Sequence, residues 1–397
     1  MQNTYRRVQP FIERDLKKKM VLLAGPRQCG KTTLAEQIIS TTNGQYYSWD
    51  IDRDRRILRD GKMDASKELW VFDELHKYRE WRNWLKGVFD QYRKEHSILV
   101  TGSAKLDVYS RGGDSLQGRY FFHRLHPFTL GELLNIQSRE DATEFVQIPQ
   151  ETPTNAGSVL QDLLSLGGFP EPFLGGSQRE ADRWRLSYRS RIAREEIRDL
   201  ENIRDIDRLE LLYDRLEQVV GSVLSINSLR EDLEVAFETV KHWLSILENL
   251  YVCLRLSPFG APKIKAVKKE QKLYLWDWAM VGDFSARFEN LVAIHLRRFE
   301  HWCRDIEGKN VELRFYRSTV GHEVDFILLL NGKPWVAVEV KENEKDLDRG
   351  LKYLLERVKF PYAFQISLKG TNDWQPPPIN GCNIRLMPAA KFLAQLP

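Results

Sequence analysis

The chain has 397 residues and a net charge of +4, with 42% hydrophobic and 29% charged residues. That length makes room for two or three domains with sizeable cores, and the mild charge excludes a globally basic nucleic-acid binder, so any such footprint must be local. The four cysteines (Cys29, Cys253, Cys303, Cys382) lie far apart with no C-x-x-C pair. This gives no zinc site or disulfide framework and suits a reducing cytoplasm. No apolar run approaches the ~18 residues of a membrane span, and residues 1–19 carry acids and lack a signal peptide's apolar core, so no membrane partner is expected.

Residues 3–19 read as a polar, basic helix leading into residues 20–33, MVLLAGPRQCGKTT. Val21, Leu22, Leu23 and Ala24 form a buried strand, which runs into a glycine loop and then a helix reaching about Ser40. This order is the phosphate-binding P-loop pattern G-x-x-x-x-G-K-[ST]. Gly25 and Gly30 let the loop of Pro26, Arg27, Gln28 and Cys29 curl so that backbone N–H groups point inward at phosphate oxygens. The helix opening at Lys31, Thr32 and Thr33 adds its positive N-terminal end. Lys31 is expected to reach the β- and γ-phosphates, and the Thr32 hydroxyl to take a place on Mg²⁺.

A second short strand, residues 45–50, ends in Asp50. Leu69, Trp70, Val71 and Phe72 then run into Asp73 and Glu74, the Walker B pattern. Asp73 would hold Mg²⁺ and Glu74 would polarise the attacking water as general base. The next strand, residues 97–100, ends in Thr101, Gly102 and Ser103. Those hydroxyls suit sensing of the γ-phosphate or the lytic water, with an ordinary polar turn as the plain alternative. Arg119 follows Gly118 and is a candidate for stabilising transition-state charge in a neighbouring subunit, with Arg111 a competitor and a surface arginine the plain alternative.

Together GPRQCGKTT, WVFDELHKYREWRNWLKGVFDQY, LVTGSAKLD and SLQGRYFFHRLHPFTLGEL resemble the AAA+-type ATPases of bacteria and archaea whose C-terminal half is a domain of unknown function. The resemblance continues in Gly167, Gly168, Phe169, Pro170, Glu171 and Pro172, in residues 273–277 (LYLWD), and in Phe288, Glu289 and Asn290. It implies ATP binding and hydrolysis, with Arg119 matching the family's arginine finger. A finger acting in a neighbour's site implies a homo-oligomer of ring form.

Residues 136–155, with Pro149 and Pro153, read as a polar bridge and boundary. Residues 158–207 read as helical, broken by the glycines at 167–168 and 175–176, and residues 179–208 alternate arginines with acids as a salt-bridged helix face. Residues 225–256 read as helix, turn, helix and strand, with Val240, Trp243, Leu244, Leu247 and Leu250 on one apolar face. Residues 258–272 would then be the wing of a winged helix. The second helix exposes Glu238, Lys241, His242, Ser245, Glu248 and Asn249, too neutral for base reading. The wing carries Lys263, Lys265, Lys268, Lys269 and Lys272 against Glu270 alone, which suits either contact with a nucleic-acid backbone or a solvated loop.

From Gly282 the pattern becomes helix, three strands, helix and strand. Strand parity places Val324, Phe326 and Leu328 on one face and Glu323 and Asp325 on the other. A three-residue loop (Asn331, Gly332, Lys333) would set Leu330 opposite Pro334, Asp325 opposite Glu339, and Glu323 opposite Lys341; a two-residue Asn-Gly turn would set Asp325 opposite Val338. Two carboxylates so paired call for a cation or a proton between them, and Mg²⁺ is the expected occupant. Asp325, Glu339 and Lys341, with Glu289 on the preceding helix, resemble the PD-(D/E)xK nuclease fold. The resemblance implies that Asp325, Glu339 and Glu289 bind metal and that Lys341 aids hydrolysis. The alternative is a degenerate, structural version of that fold, in which Glu323–Lys341 is a cross-strand salt bridge.

The expected architecture is therefore α/β. It comprises a P-loop NTPase (AAA+-like) domain over 1–135, a linker and lid-like helical segment over 136–220, a winged-helix-like domain over 221–280 and a nuclease-like domain over 281–397. The expected function is ATP hydrolysis coupled to nucleic acid, with Mg²⁺-dependent phosphodiester cleavage at the C-terminal site. Its rival is a nucleotide-dependent switch or scaffold that binds nucleic acid or protein without cleaving.

Overall fold

The structure, a computed structural model, describes residues 5–102, 106, 116–147, 151–192, 205–260 and 270–397. Ser103, Arg111, Lys263, Lys265, Lys268 and Lys269 lie outside the described residues. The chain forms two compact units, one running to Pro127 and including Asn249–Tyr251, the other covering Phe128–Glu248 and Val252–Pro397. The first unit closes before residue 135 because the short helix α5 (Leu130–Leu133) is tied into the second: its Leu130 N–H donates to His295 Nε2 at 3.2 Å.

In the first unit β1 (Met20–Ala24), β2 (Gly44–Ser48), β3 (Leu69–Asp73), β4 (Ser97–Thr101) and β5 (Tyr120–Arg124) form a parallel sheet of order β2-β3-β4-β1-β5. Strand β1 is buried at every position because it pairs on both edges, with β4 and β5, which explains its unbroken apolar run. Among the described residues, four helices accompany the sheet: α1 (Gln9–Leu16), α2 (Lys31–Thr41), α3 (Asp52–Asp60) and α4 (Trp81–Tyr92). Helix α1 is shorter than the expected 3–19, since a proline in its first turn starts it. Trp70, Phe72, Leu75, Trp81 and Leu85 fill a core with Leu22 and Ala24 of β1. The carboxyl ends of β1, β3 and β4 lie side by side, so whatever follows these strands shares one crevice.

The second unit begins with helices α5, α6 (Ala156–Leu166), α7 (Pro170–Gly175) and α8 (Gln178–Arg191). Next come α9 (Ile206–Val219), α10 (Ile226–Leu233), α11 (Phe237–Asn249) and the antiparallel pair β6 (Cys253–Leu256) and β7 (Lys272–Leu275). Val223 makes a further antiparallel bridge to Lys272. The glycine and tryptophan motifs of this region perform packing. Gly167 has φ +82° and a Cβ there would stand 2.6 Å from Asp277 Oδ1. Asp277 accepts from Arg185 Nε at 3.0 Å, and Trp278 donates to the Leu163 carbonyl at 2.8 Å.

Helix α12 (Phe284–Glu307) leads to a mixed sheet of β8 (Val311–Arg317), β9 (Glu323–Leu330), β10 (Lys333–Lys341), β11 (Tyr362–Ser367) and β12 (Asn383–Pro388), ordered β12-β11-β10-β9-β8. Strands β8, β9 and β10 are antiparallel, and β10, β11 and β12 parallel. Helix α13 (Arg349–Arg357) makes the crossover to β11; two strands follow it where the sequence pattern suggested one. Face parity in β9 departs from strict alternation: Val324 packs in one cluster with Ile327 and Leu329, because the register against β8 shifts between Arg314 and Tyr316.

The β9–β10 hairpin corrects the expected loop. Lys333 pairs with Leu330, so the connection is the two-residue turn Asn331-Gly332, both at positive φ (52° and 76°). A bulge between Pro334 and Val336 then shifts the register by one, and Val338 pairs with Phe326. The bulge cancels the shorter turn. Glu339 therefore still comes beside Asp325, whose N–H points at Glu339 Oε2 at 3.4 Å.

Candidate functional site

The loop after β1 turns on two glycines. A Cβ on Gly25 would stand 2.0 Å from the Leu125 carbonyl oxygen, and Gly30, at φ +96°, caps α2 in the left-handed region. Cys29 is buried, with its thiol 3.3 Å from the Leu125 carbonyl. Arg6, itself buried, donates through Nη1 to the Cys29 carbonyl at 2.9 Å and through Nη2 to the His126 carbonyl. The loop is thus braced from outside by an arginine that the sequence pattern did not single out. Lys31 folds back on the loop, its ammonium 3.0 Å from the Gly25 carbonyl and 2.7 Å from that of Pro26.

Asp73, at the tip of β3, is the hub. Its Oδ1 accepts from Thr101 Oγ1 at 2.5 Å and from the Glu74 N–H at 3.1 Å. Its Oδ2 accepts from Tyr46 and lies 3.4 Å from Thr32 Oγ1. The ends of β3 and β4, the start of α2 and a side chain of β2 therefore meet at one carboxylate. Tyr46 is the second residue that motif reading missed. Burial, and then the Asp73 carboxylate, push its phenol far above the ordinary range, so it stays a proton donor to Asp73.

Glu74 leaves the strand at φ +54°, a conformation a non-glycine residue adopts at a cost of about 1–3 kcal/mol. Its Oε2 lies 3.4 Å from Lys77 Nζ and 3.6 Å from His76 Nε2. Lys77 in turn reaches Asp50 at 2.6 Å. Arg119 is held by both oxygens of Asp90, at 2.8 and 3.0 Å.

The second cluster lies in the second unit, and here the structure alters the expectation. Lys272 is a buried member of β7, its side chain only 3% exposed, and does not belong to an exposed wing. Its ammonium lies 2.5 Å from Glu323, 3.2 Å from Glu289 and 3.8 Å from Asp325. Burial lowers its pKa, but the carboxylates of Glu289, Asp325 and Glu323 outweigh that and raise it. Glu289 also accepts from the Tyr274 hydroxyl at 2.6 Å. Lys341 pairs with Glu339 at 2.6 Å and Asp348 at 2.8 Å, not with Glu323. Burial pushes the Asp325 and Glu339 carboxyls up, Asp325 further by the neighbouring Glu339.

The expected metal trio of Glu289, Asp325 and Glu339 is therefore not assembled as one. Glu339 turns to Lys341, Asp325 Oδ2 accepts the Val340 N–H at 2.9 Å, and Glu289 turns to Lys272 and Tyr274. Among the described residues no group of three or more His, Cys, Asp or Glu is arranged to hold a metal ion. No helix among them is long and apolar enough to cross a membrane.

Residues 17–134 match the family model of an AAA domain. With the parallel sheet, the loop and the acid hub, they are an AAA-type P-loop ATPase domain. Residues 158–289 and 284–387 match two domains of unknown function, DUF8612 and DUF4143. The chain is similar to an uncharacterized protein of Mycobacterium tuberculosis, 24% identical over 329 residues that cover 80% of this chain and 69% of the relative. It is likewise similar to an uncharacterized protein of Methanocaldococcus jannaschii, 26% identical over 402 residues that cover 89% of this chain and 81% of the other. Among solved structures it is similar to the Aeropyrum pernix ORC1 protein, determined in complex with DNA. That likeness has 14% identity and a TM-score of 0.32, over 73% of this chain and 93% of the other.

Proposed function

We propose that the chain is an ATP-hydrolysing, Mg²⁺-dependent ATPase. The observation that carries this reading is the meeting of Thr32, Asp73 and Thr101 beside the glycine loop. A hydroxyl and a carboxylate are hard oxygen donors that fit Mg²⁺, so Thr32 and Asp73 are the residues that would hold it. When bound, that cation neutralises charge on the β- and γ-phosphates. Lys31 exchanges its two loop carbonyls for phosphate oxygens. The residues Gly25, Pro26, Arg27, Gln28, Cys29, Gly30 and Thr33 complete the cradle. Glu74 takes a proton from the attacking water, and Thr101, with Ser103, orients the γ-phosphate side of the crevice. Arg119 leaves Asp90 to act in a neighbouring protomer, which makes the working form a homo-oligomeric ring. The test is steady-state ATP turnover: Glu74→Gln should fall by about 10²–10⁴ while still binding ATP. Unchanged turnover would remove Glu74 from the base role.

We read residues 221–280 as winged-helix-like and 281–397 as a nuclease-like fold, with nucleic acid as partner through Lys263, Lys265, Lys268 and Lys269 and the C-terminal domain. Four free, buried cysteines support a cytoplasmic location. Between cleavage and binding without cleavage, Lys272 favours the second, because it neutralises the carboxylates that a hydrolytic metal would need. The discriminating assay is cleavage of DNA and RNA with Mg²⁺ or Mn²⁺, using Asp325→Ala and Lys341→Ala as controls. No cleavage with nucleic-acid binding intact is expected; cleavage lost in both variants would restore the nuclease reading.

A further inference from the structure

Four carboxylates, those of Glu289, Glu323, Asp325 and Glu339, crowd the face where β7, α12, β9 and β10 meet. A divalent cation at such a place binds oxygens at about 2.0–2.6 Å and brings waters with it. Here the oxygens are already in use. The Lys272 ammonium stands within 2.5–3.8 Å of three of the four carboxylates, and Lys341 takes the fourth at 2.6 Å. We infer that Lys272 is the resident cation of this cluster, replacing a divalent metal and pinning the β6–β7 hairpin to α12 and β9.

The strand explains why the replacement is permanent. Lys272 pairs through its backbone with Leu256 on one side and bridges Val223 on the other. Backbone pairing on both edges fixes its Cα, and burial of the side chain, 3% exposed, holds the ammonium among its carboxylates. Alternation along β7 puts Lys272 and Tyr274 on the same face, and both reach the same oxygen of Glu289, at 3.2 and 2.6 Å. Arg317, 3.9 Å from Glu323, adds a further positive charge. Divalent metal would have to displace a buried, multiply paired ammonium and then share oxygens that backbone N–H groups and a phenol already occupy.

The test uses the full chain without nucleotide, so that it is independent of the ATP reading. Mn²⁺ followed by electron paramagnetic resonance should show no stoichiometric site, and neither Mn²⁺ nor a chelator should shift thermal unfolding. Lys272→Met should lower the unfolding midpoint by several degrees, and adding Glu323→Gln should recover part of the loss by removing an uncompensated charge. If Lys272→Met does not fold, Glu323→Gln alone carries this arm, since loss of the nearest acceptor should itself lower the midpoint. One Mn²⁺ per wild-type chain that Asp325→Asn abolishes would overturn the inference. So would a Lys272→Met or Glu323→Gln chain that unfolds like wild type.

Discussion

Replacing Tyr46 by Phe removes one hydroxyl and leaves the ring, so its effect is that of the hydroxyl set between Asp73 and Thr32. Hydrogen bonds to charged groups contribute about 1.5–3 kcal/mol. Asp73 keeps Thr101 and the Glu74 N–H on Oδ1, so the lower end applies. The oxygen that loses its donor is Oδ2, the one facing Thr32, where the cation would bind. About 1.4 kcal/mol corresponds to a tenfold change, and outer partners of metal ligands typically matter by 10–100-fold. The Mg²⁺ concentration for half-maximal ATP turnover should therefore rise about tenfold in Tyr46→Phe. The assay is turnover at saturating ATP across a Mg²⁺ titration. Tyr47→Phe is the control, because that hydroxyl accepts from the Asp64 N–H at 2.8 Å, away from Asp73. An unchanged Mg²⁺ requirement in Tyr46→Phe, or an equal shift in both variants, would refute the orienting role.

Arg119→Ala should lose turnover while keeping nucleotide affinity, measured by calorimetry beside steady-state kinetics; full turnover would refute the finger role. His295 should give the second unit an acid-dependent loss of stability, opposed by the raised Asp325 and Glu339 carboxyls. His295 is buried, accepts the Leu130 N–H at Nε2, and lies 2.8 Å from the Leu291 carbonyl through Nδ1. Burial holds its pKa down, from 6.5 to about 4. Its contribution is complete above pH 6.5 and is lost as pH falls toward 4, a loss of about 3 kcal/mol at 1.36 kcal/mol per pH unit. Urea unfolding at pH 7 and pH 4.5 should show wild type losing more stability in acid than His295→Gln; an equal pH dependence in both chains would refute the assignment.

The crevice end of the first unit was legible because phosphate-loop chemistry dictates residue types at fixed spacing. Glycines, a lysine and a hydroxyl must follow a buried strand, and an acid must end another. The hub around Asp73 was only half legible: Tyr46 comes from β2, whose side chain meets Asp73 through sheet order, and motif spacing carries no sheet order. Arg6 was invisible for a similar reason, since it braces the loop from a segment ahead of the P-loop strand, outside the motif. In the second unit, parity brought Glu339 to Asp325, yet for the wrong reason: the turn is one residue shorter than expected and a bulge makes up the difference. Lys272 was misread because it stands at the end of a lysine-rich run. The signal lay in the other direction, in its alternation with Leu273 and Leu275, which marks it as a strand residue sharing a face with Tyr274.

Equilibrium binding of ATP with Mg²⁺ to the purified chain, compared with Lys31→Ala, tests the central claim most directly. One saturable site per chain that Lys31→Ala removes is the expected result. An absence of binding, or binding that Lys31→Ala leaves intact, would contradict the reading of residues 20–33 as the seat of the chemistry.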